Sequence, residues 1–157
     1  KGDRGIDSET LGPDMTRADR THPAAEGGNT SYHALFSVAE SPRDAKVLWT
    51  GSDDGLVWLT RDGGAGWTNL TANFPKGAPT TCFGSAIAPS HQDAGSAWLT
   101  YDCHHRDDYQ PHVYRTTDFG HSWKPLVRGL PVDAGSLTVY ADPFNARLAW
   151  VGTAVGA

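Results

Sequence analysis

The chain has 157 residues, 38% of them hydrophobic, which suffices for one soluble globular unit with a sizeable core. Its 13 basic and 18 acidic side chains leave a formal charge of −5 with the seven histidines neutral, which argues against an electrostatic footprint for DNA or RNA. Apolar runs of only a few residues exclude a membrane-spanning helix, and 18 Gly, 10 Pro and 6 Trp beside a single Met indicate a turn-rich all-β protein.

Residues 1–31 are polar and broken by Gly and Pro, with only Leu11 to Thr16 strand-like, so a linker carrying the remnant of a preceding unit is expected there. The chain opens at Lys1 with neither an initiator Met nor a signal peptide, so a processed chain or a piece of a larger one is expected. From Tyr32 onward, short β-branched and aromatic runs alternate with turn clusters, the pattern of strands. The first four are predicted at His33 to Pro42, Lys46 to Ser52, Leu56 to Gly63 and Gly66 to Thr71. The cycle restarts with Cys82 to Ser90, Ser96 to Cys103, His112 to Phe119 and Ser122 to Val127. A third set begins with Ser136 to Pro143 and Leu148 to Ala154.

A phrase of Asp or Asn, Ala, three residues and Trp marks each cycle: DAKVLW from Asp44, DAGSAW from Asp93 and NARLAW from Asn145, at spacings of 49 and 52. Recurrence at that period signals stacked supersecondary units that need neighbours to bury their apolar faces. Repeated four-stranded antiparallel sheets of this length match the blades of a β-propeller. The division expected is a blade over 32–79, a blade over 80–131 and the start of an incomplete blade over 132–157. About two and a half blades cannot close a ring, so remaining blades or another chain are expected to cover the open sheet edges. Trp49, Trp98 and Trp150 share one blade position, which favours packing between blades over a sugar-stacking platform.

A second repeat sits between the third and fourth strands. TRDGGAGW (Thr60 to Trp67) and TTDFGHSW (Thr116 to Trp123) share Thr-x-Asp-x-Gly-x-x-Trp, with Asp62 and Asp118 separated by 56 residues. A short carboxylate in a tight turn accepts backbone N–H groups, Gly supplies positive φ and the indole seals the turn. This frame (Thr60, Asp62, Gly64 and Trp67; Thr116, Asp118, Gly120 and Trp123) resembles the Asp-box or BNR repeat of sialidases and sortilin-type receptors. Gly66 departs from the family's usual Ser or Thr, and Ser122 keeps it. The stretch from Gly51 to Thr71 is most similar to bacterial proteins labelled glycosyl hydrolases with sortilin-like Asp-box repeats, and LGPDMTRAD resembles the segment preceding such a blade. The resemblance implies that the boxes are structural turns facing away from the ligand site.

The opposite face is expected to carry SDDG (Ser52 to Gly55), DCHHRDDYQ (Asp102 to Gln110) and the inter-blade stretch Ala72 to Thr81. His104, His105 and Arg106 are the ligand-contact candidates, set against a solvated polar loop. The histidines and carboxylates are crowded without the spacing that converges on one ion, so no metal and no cofactor is expected. Asp53, Asp54, Asp107 and Asp108 are the candidates for the paired carboxylates of glycoside hydrolysis, although Asp-Gly is also ordinary turn chemistry. The arginine cluster and Tyr nucleophile of a sialidase are not discernible.

If Pro89 faces Ser96 across the hairpin, each facing pair sums to 185 and Cys82 faces Cys103, near disulfide range. A disulfide implies export to a secreted, periplasmic or extracellular setting. Asn29 and Asn69 lie in Asn-x-Ser/Thr sequons, meaningful only in a eukaryotic secretory pathway. The function expected is an exported binding or scaffold module that presents loops to a protein or glycan partner. The alternatives are a glycosidase-like hydrolase and a structural subunit of a larger assembly.

Overall fold

A computed structural model describes residues 34–156; the expectations for residues 1–31, including the strand-like Leu11 to Thr16 and the Asn29 sequon, lie outside them. Ten strands form three antiparallel sheets in chain order, and there is no α-helix among the described residues. The first sheet contains β1 (Leu35–Ser41), β2 (Asp44–Ser52), β3 (Val57–Thr60) and β4 (Thr68–Asn69), paired in that order. The second contains β5 (Phe83–Pro89), β6 (Ala97–Asp102), β7 (His112–Thr116) and β8 (Lys124–Pro125). The third pairs β9 (Ser136–Ala141) with β10 (Ala149–Thr153).

The repeated Asp/Asn-Ala-x-x-x-Trp phrase turns each hairpin and then delivers a core residue. Backbone N–H groups two residues on donate to the first side chain in all three copies: Lys46 to Asp44 Oδ1 at 3.0 Å, Gly95 to Asp93 Oδ1 at 3.1 Å and Arg147 to Asn145 Oδ1 at 3.0 Å. These are Asx turns, in which a short side chain replaces a backbone acceptor and fixes where the next strand begins. The Trp that follows then points forward along the stack. Trp49 is fully buried in the cluster between the first and second sheets, and Trp98 is 2% exposed between the second and third. Trp150 is 59% exposed, because no described sheet lies beyond its own.

Strand β6 is buried at all six positions since both of its faces are covered. Leu99 and Tyr101 join the cluster with the first sheet, while Trp98 packs with Val139 and Ala141 of the third. The connection between the first two sheets is itself core. After β4, a 3-10 turn (Thr71–Asn73) brings Phe74 onto Trp123, with ring centroids 4.6 Å apart and planes 9° from parallel. Tyr101 and Tyr114 meet the same ring edge-on at 5.5 and 5.2 Å. The stretch from Ala72 to Thr81, expected on the ligand face, is thus divided: Phe74 packs between blades, and Thr80 reaches the β2–β3 turn, against Gly55.

Two details of register differ from the sequence reading. Pro89 faces Ala97, not Ser96, and pairs near the loop sum to 186. A bulge at Ser85 then drops one residue, so Gly84 faces Tyr101 and Phe83 faces Asp102. The outermost strands β4 and β8 hold two residues each, shorter than expected: Leu70 turns into the 3-10 segment, and beyond Pro125 one further bond, Leu126 N–H to Val113 O at 2.8 Å, joins the edge to β7. Phe74→Ala should lower stability by about 3–5 kcal/mol through loss of a buried ring and the cavity left behind. Urea denaturation of the two chains checks this, and Phe74→Leu should recover part of the loss.

Candidate functional site

In the two four-stranded sheets the β3–β4 and β7–β8 turns lie at one end, and the β2–β3 and β6–β7 turns at the other. At the first end the two Thr-x-Asp-x-Gly-x-x-Trp turns share three hydrogen bonds. Thr60 Oγ1 donates to Asp62 Oδ1 at 2.7 Å, and Thr116 Oγ1 to Asp118 Oδ1 at 2.7 Å. The Gly64 and Gly120 N–H groups each donate to their Thr hydroxyl at 2.9 Å. Gly66 N–H donates to Asp62 Oδ1 and Ser122 N–H to Asp118 Oδ1, again at 2.9 Å. Ser122 adds its own hydroxyl to Asp118 Oδ2 at 2.7 Å, a bond that Gly66 cannot make.

Both carboxylates are held below the ordinary value. For Asp62 the Gly66 N–H is the main cause, followed by the Thr60 hydroxyl. For Asp118 burial pulls upward, and the Ser122 hydroxyl, Ser122 N–H and Thr116 hydroxyl together outweigh it. Trp123 is buried beneath Phe74, whereas Trp67 is only half-buried.

At the opposite end, the β2–β3 turn is built from its own polar groups. Asp54 is buried and accepts the Ser52 hydroxyl, while the Leu56 N–H donates to Ser52 Oγ at 2.9 Å. Asp53 accepts the Ala34 N–H at 3.2 Å. Gly55 sits at φ 86°, where a Cβ would lie 2.4 Å from Thr80 O, so only glycine fits. The Tyr101 hydroxyl donates to Gly55 O at 3.0 Å, which ties this turn to the equivalent end of the second sheet.

The β6–β7 connection is the more loaded one. Asp102 is buried and accepts the His104 N–H at 3.1 Å, and His104 Nδ1 lies 2.8 Å from both of its oxygens. A short 3-10 turn (His104–Arg106) follows, and Asp107 ends it at φ 56°. His105 stacks on Phe83 at 4.2 Å, and Phe83 stacks on Phe36 at 5.4 Å. Burial and then the Arg106 charge push the His105 imidazole below its ordinary value, favouring the neutral ring. His104, Arg106, Asp107 and Tyr109 are exposed. Asp108 accepts the Gln110 N–H at 2.9 Å and lies 2.8 Å from His112 Nε2. Burial raises its value, but those two bonds and the histidine's charge win, and it is held low.

Cys82 and Cys103 are joined by a disulfide with Cα atoms 5.0 Å apart, brought opposite one another by the Ser85 bulge. Cys103, Asp108 and His112 are the one grouping of potential metal ligands among the described residues, with ligand atoms within 4.8 Å of one another. His112 escaped the sequence reading, although its position four residues after Asp108, across a turn, was the available signal.

No family model and no curated protein sequence matches the chain. Solved structures do match in fold. YCF48 bound to a D1 peptide aligns with 20% identity and a TM-score of 0.57, covering 82% of this chain and 37% of that one. YCF48 from Cyanidioschyzon merolae aligns with 26% identity and a TM-score of 0.57, covering 78% and 35%. The GH74 xyloglucanase from Xanthomonas campestris aligns with 22% identity and a TM-score of 0.61, covering 76% and 18%. These are β-propellers, and the described sheets form part of such a fold. The chain spans little more than a third of the length of the YCF48 chains, and less of the xyloglucanase. No helix among the described residues is long and apolar enough to cross a membrane.

Thr116→Val should cost about 1–3 kcal/mol, because the buried hydroxyl serves both Asp118 and the Gly120 N–H. Chemical denaturation measures it. The depressed carboxylates also set a pH window. Their stabilisation is complete above the unfolded value of about 3.9 and is lost as pH falls through the lower folded values. An Asp62→Asn, Asp118→Asn double variant should therefore be less stable at neutral pH and show a flatter decline below about pH 4. Thermal unfolding across that range reads both effects.

Proposed function

We propose that this chain is part of an exported Asp-box propeller that acts as a binding or scaffold module, with blades over 32–79, 80–131 and the beginning of a third over 132–157. The observation that carries this reading is how the acidic groups on the loop-bearing end are used. Asp53, Asp54, Asp102 and Asp108 each hold a turn together by accepting hydrogen bonds. Glycoside hydrolysis needs two carboxyl groups left to face one bond. What the same end offers outward is His104, Arg106, Tyr109 and the single carboxylate of Asp107, with His105 beside them on the Phe83 and Phe36 rings. Such a mixed aromatic and charged surface suits a protein or glycan partner.

The peptide-bound YCF48 structure supports a protein partner for a fold of this kind, and the GH74 enzymes keep a glycosidase-like hydrolase as the second reading. The matched bonding of the two Thr-x-Asp-x-Gly-x-x-Trp turns supports the Asp-box assignment. The disulfide supports an exported setting. Exposed Tyr140 and Trp150 on the third sheet and Val38 on the first support further blades, or another chain, covering the two end faces.

A peptide library and a glycan array probed with the full chain test the proposal. A bound class should emerge, and a His104→Ala, His105→Ala, Arg106→Ala variant should lose roughly tenfold or more in affinity, about 1.4 kcal/mol, while Arg106→Ala alone, which leaves the Asp102 and Phe83 contacts in place, should weaken binding with unchanged thermal stability. Turnover of an aryl glycoside that Asp53→Asn, Asp54→Asn, Asp107→Asn or Asp108→Asn abolishes in a folded chain would replace binding with hydrolysis.

A further inference from the structure

The disulfide is not surrounded by apolar side chains alone. Cys103 Sγ shares a neighbourhood within 4.8 Å with one ligand atom each of Asp108 and His112, and Cys82 Sγ is bonded to it. The donors are set by separate elements. Cys82 immediately precedes β5, Cys103 follows β6, Asp108 lies in the connecting loop and His112 opens β7. His112 is clamped through its backbone, donating its N–H to Ser136 Oγ at 2.9 Å while the same hydroxyl donates to its carbonyl at 3.1 Å. The Asp108 N–H is directed at Cys103 O at 3.4 Å, which folds the loop back over the sulfur.

We infer that, once the Cys82–Cys103 bond is reduced, Cys82, Cys103, Asp108 and His112 form a tetrahedral site for a divalent ion of the zinc type. Two thiolates, one imidazole and one carboxylate are the donors such an ion takes, at about 2.3 Å from sulfur and about 2.0–2.2 Å from nitrogen and oxygen. Tetrahedral ligand atoms are then about 3.3–3.8 Å apart. Asp108 Oδ2 and His112 Nε2 already touch at 2.8 Å and share a 4.8 Å neighbourhood with Cys103 Sγ, while Cys82 Sγ, outside that trio, has to swing in once its bond to Cys103 is broken.

The chemistry balances in two steps. A dithiol reductant transfers two electrons and two protons to the disulfide, giving two thiols and the reductant's own disulfide. The ion then displaces the two thiol protons to solvent, while neutral imidazole and ionised carboxylate bind without further proton change. The oxidised chain has no thiolate to offer, so disulfide and metal are mutually exclusive staples for the same loop. The site shares its loop with His104 and Arg106 but uses different side chains, so loss of metal binding in Asp108→Asn or His112→Ala is distinguishable from loss of partner binding in Arg106→Ala.

The test compares the full chain refolded in air with the same chain refolded under a phosphine reductant, each titrated with Co(II). The reduced chain should bind one ion per chain, with a thiolate-to-metal charge-transfer band and the intense d–d bands of a tetrahedral site. The oxidised chain should show neither. Loss of a ligand costs at least as much as loss of an outer-shell partner, so Asp108→Asn and His112→Ala should each weaken binding about 10- to 100-fold or more. Their oxidised forms serve as folding controls. If the reduced apo chain is unfolded, addition of Zn(II) should restore its β-sheet circular dichroism. Binding without a thiolate band, equal binding by the oxidised chain, unchanged affinity in both variants, or a reduced chain that stays unfolded with Zn(II) would each overturn the inference.

Discussion

The structure depends on one constraint: a twisted four-stranded sheet has two apolar faces, and each must be covered by another sheet. The centre of the described region shows what satisfies it. All of β6 is buried, with Leu99 and Tyr101 facing back to the first sheet and Trp98 facing forward to the third. Where a neighbour is absent the same positions are wet, as Trp150 shows at the place occupied by Trp49 and Trp98. The interface is closed by more than side chains from sheets. Ser37 Oγ donates to Gly84 O at 2.9 Å, and a Cβ on Gly51 would lie 3.0 Å from that same oxygen, so two backbones meet where glycines allow it. Arg115 lies over the Trp98 ring and donates to Ala146 O at 2.9 Å, binding the second unit to the hairpin of the third.

The fold was legible because its determinants are local and repeated. Asp44, Asp93 and Asn145 each form the same Asx turn, so the recurring phrase is a direct imprint of hairpin geometry. The strand positions followed from period and turn chemistry for the same reason. Register was harder. A bulge is a change of backbone dihedral at one residue, and nothing in the composition of FGSAIAP marks Ser85 as the extra residue. The pairing of Cys82 with Cys103 was expected from a register uniform along the hairpin, whereas the strands reach it by running one residue out and then shifting back. Phe74 was hidden differently. In sequence it is one aromatic in a Pro- and Gly-rich connection, and its role exists only because Trp123, about fifty residues later, presents a parallel ring.

Candidate sites were less legible, because a polar residue that binds a ligand and one that builds a turn have the same letter. The run from Asp102 to Gln110 reads as a cluster of free imidazoles and carboxylates. In three dimensions it is largely self-satisfied: Asp102 holds His104, Asp108 holds the Gln110 N–H and His112, and His105 lies on Phe83. Satisfying these groups internally is what allows so polar a loop to be rigid, since each unpaired buried donor or acceptor costs about 1–3 kcal/mol. A rigid loop is also the one that can present exposed His104 and Arg106 at low entropic cost on binding.

The two Thr-x-Asp-x-Gly-x-x-Trp turns differ in a way that explains why such a motif recurs once per unit. Apart from the Ser122 hydroxyl bond their internal bonds are the same, yet their surroundings are not. In the second, Leu70 from the preceding connection presses on Gly120, where a Cβ would lie 2.3 Å from Leu70 Cδ1, and the Asn73 amide donates to Gly120 O at 2.8 Å. Phe74 then covers Trp123. In the first, no described connection reaches Gly64, and Trp67 is half-buried. The turn is therefore a receptor for the chain arriving from the sheet before it: the Thr and Asp fix its shape, the Gly leaves room, and the indole is the floor. A residue set with that duty must repeat at every junction irrespective of what the opposite end of the blade binds. Its presence accordingly carries information about stacking and none about substrate.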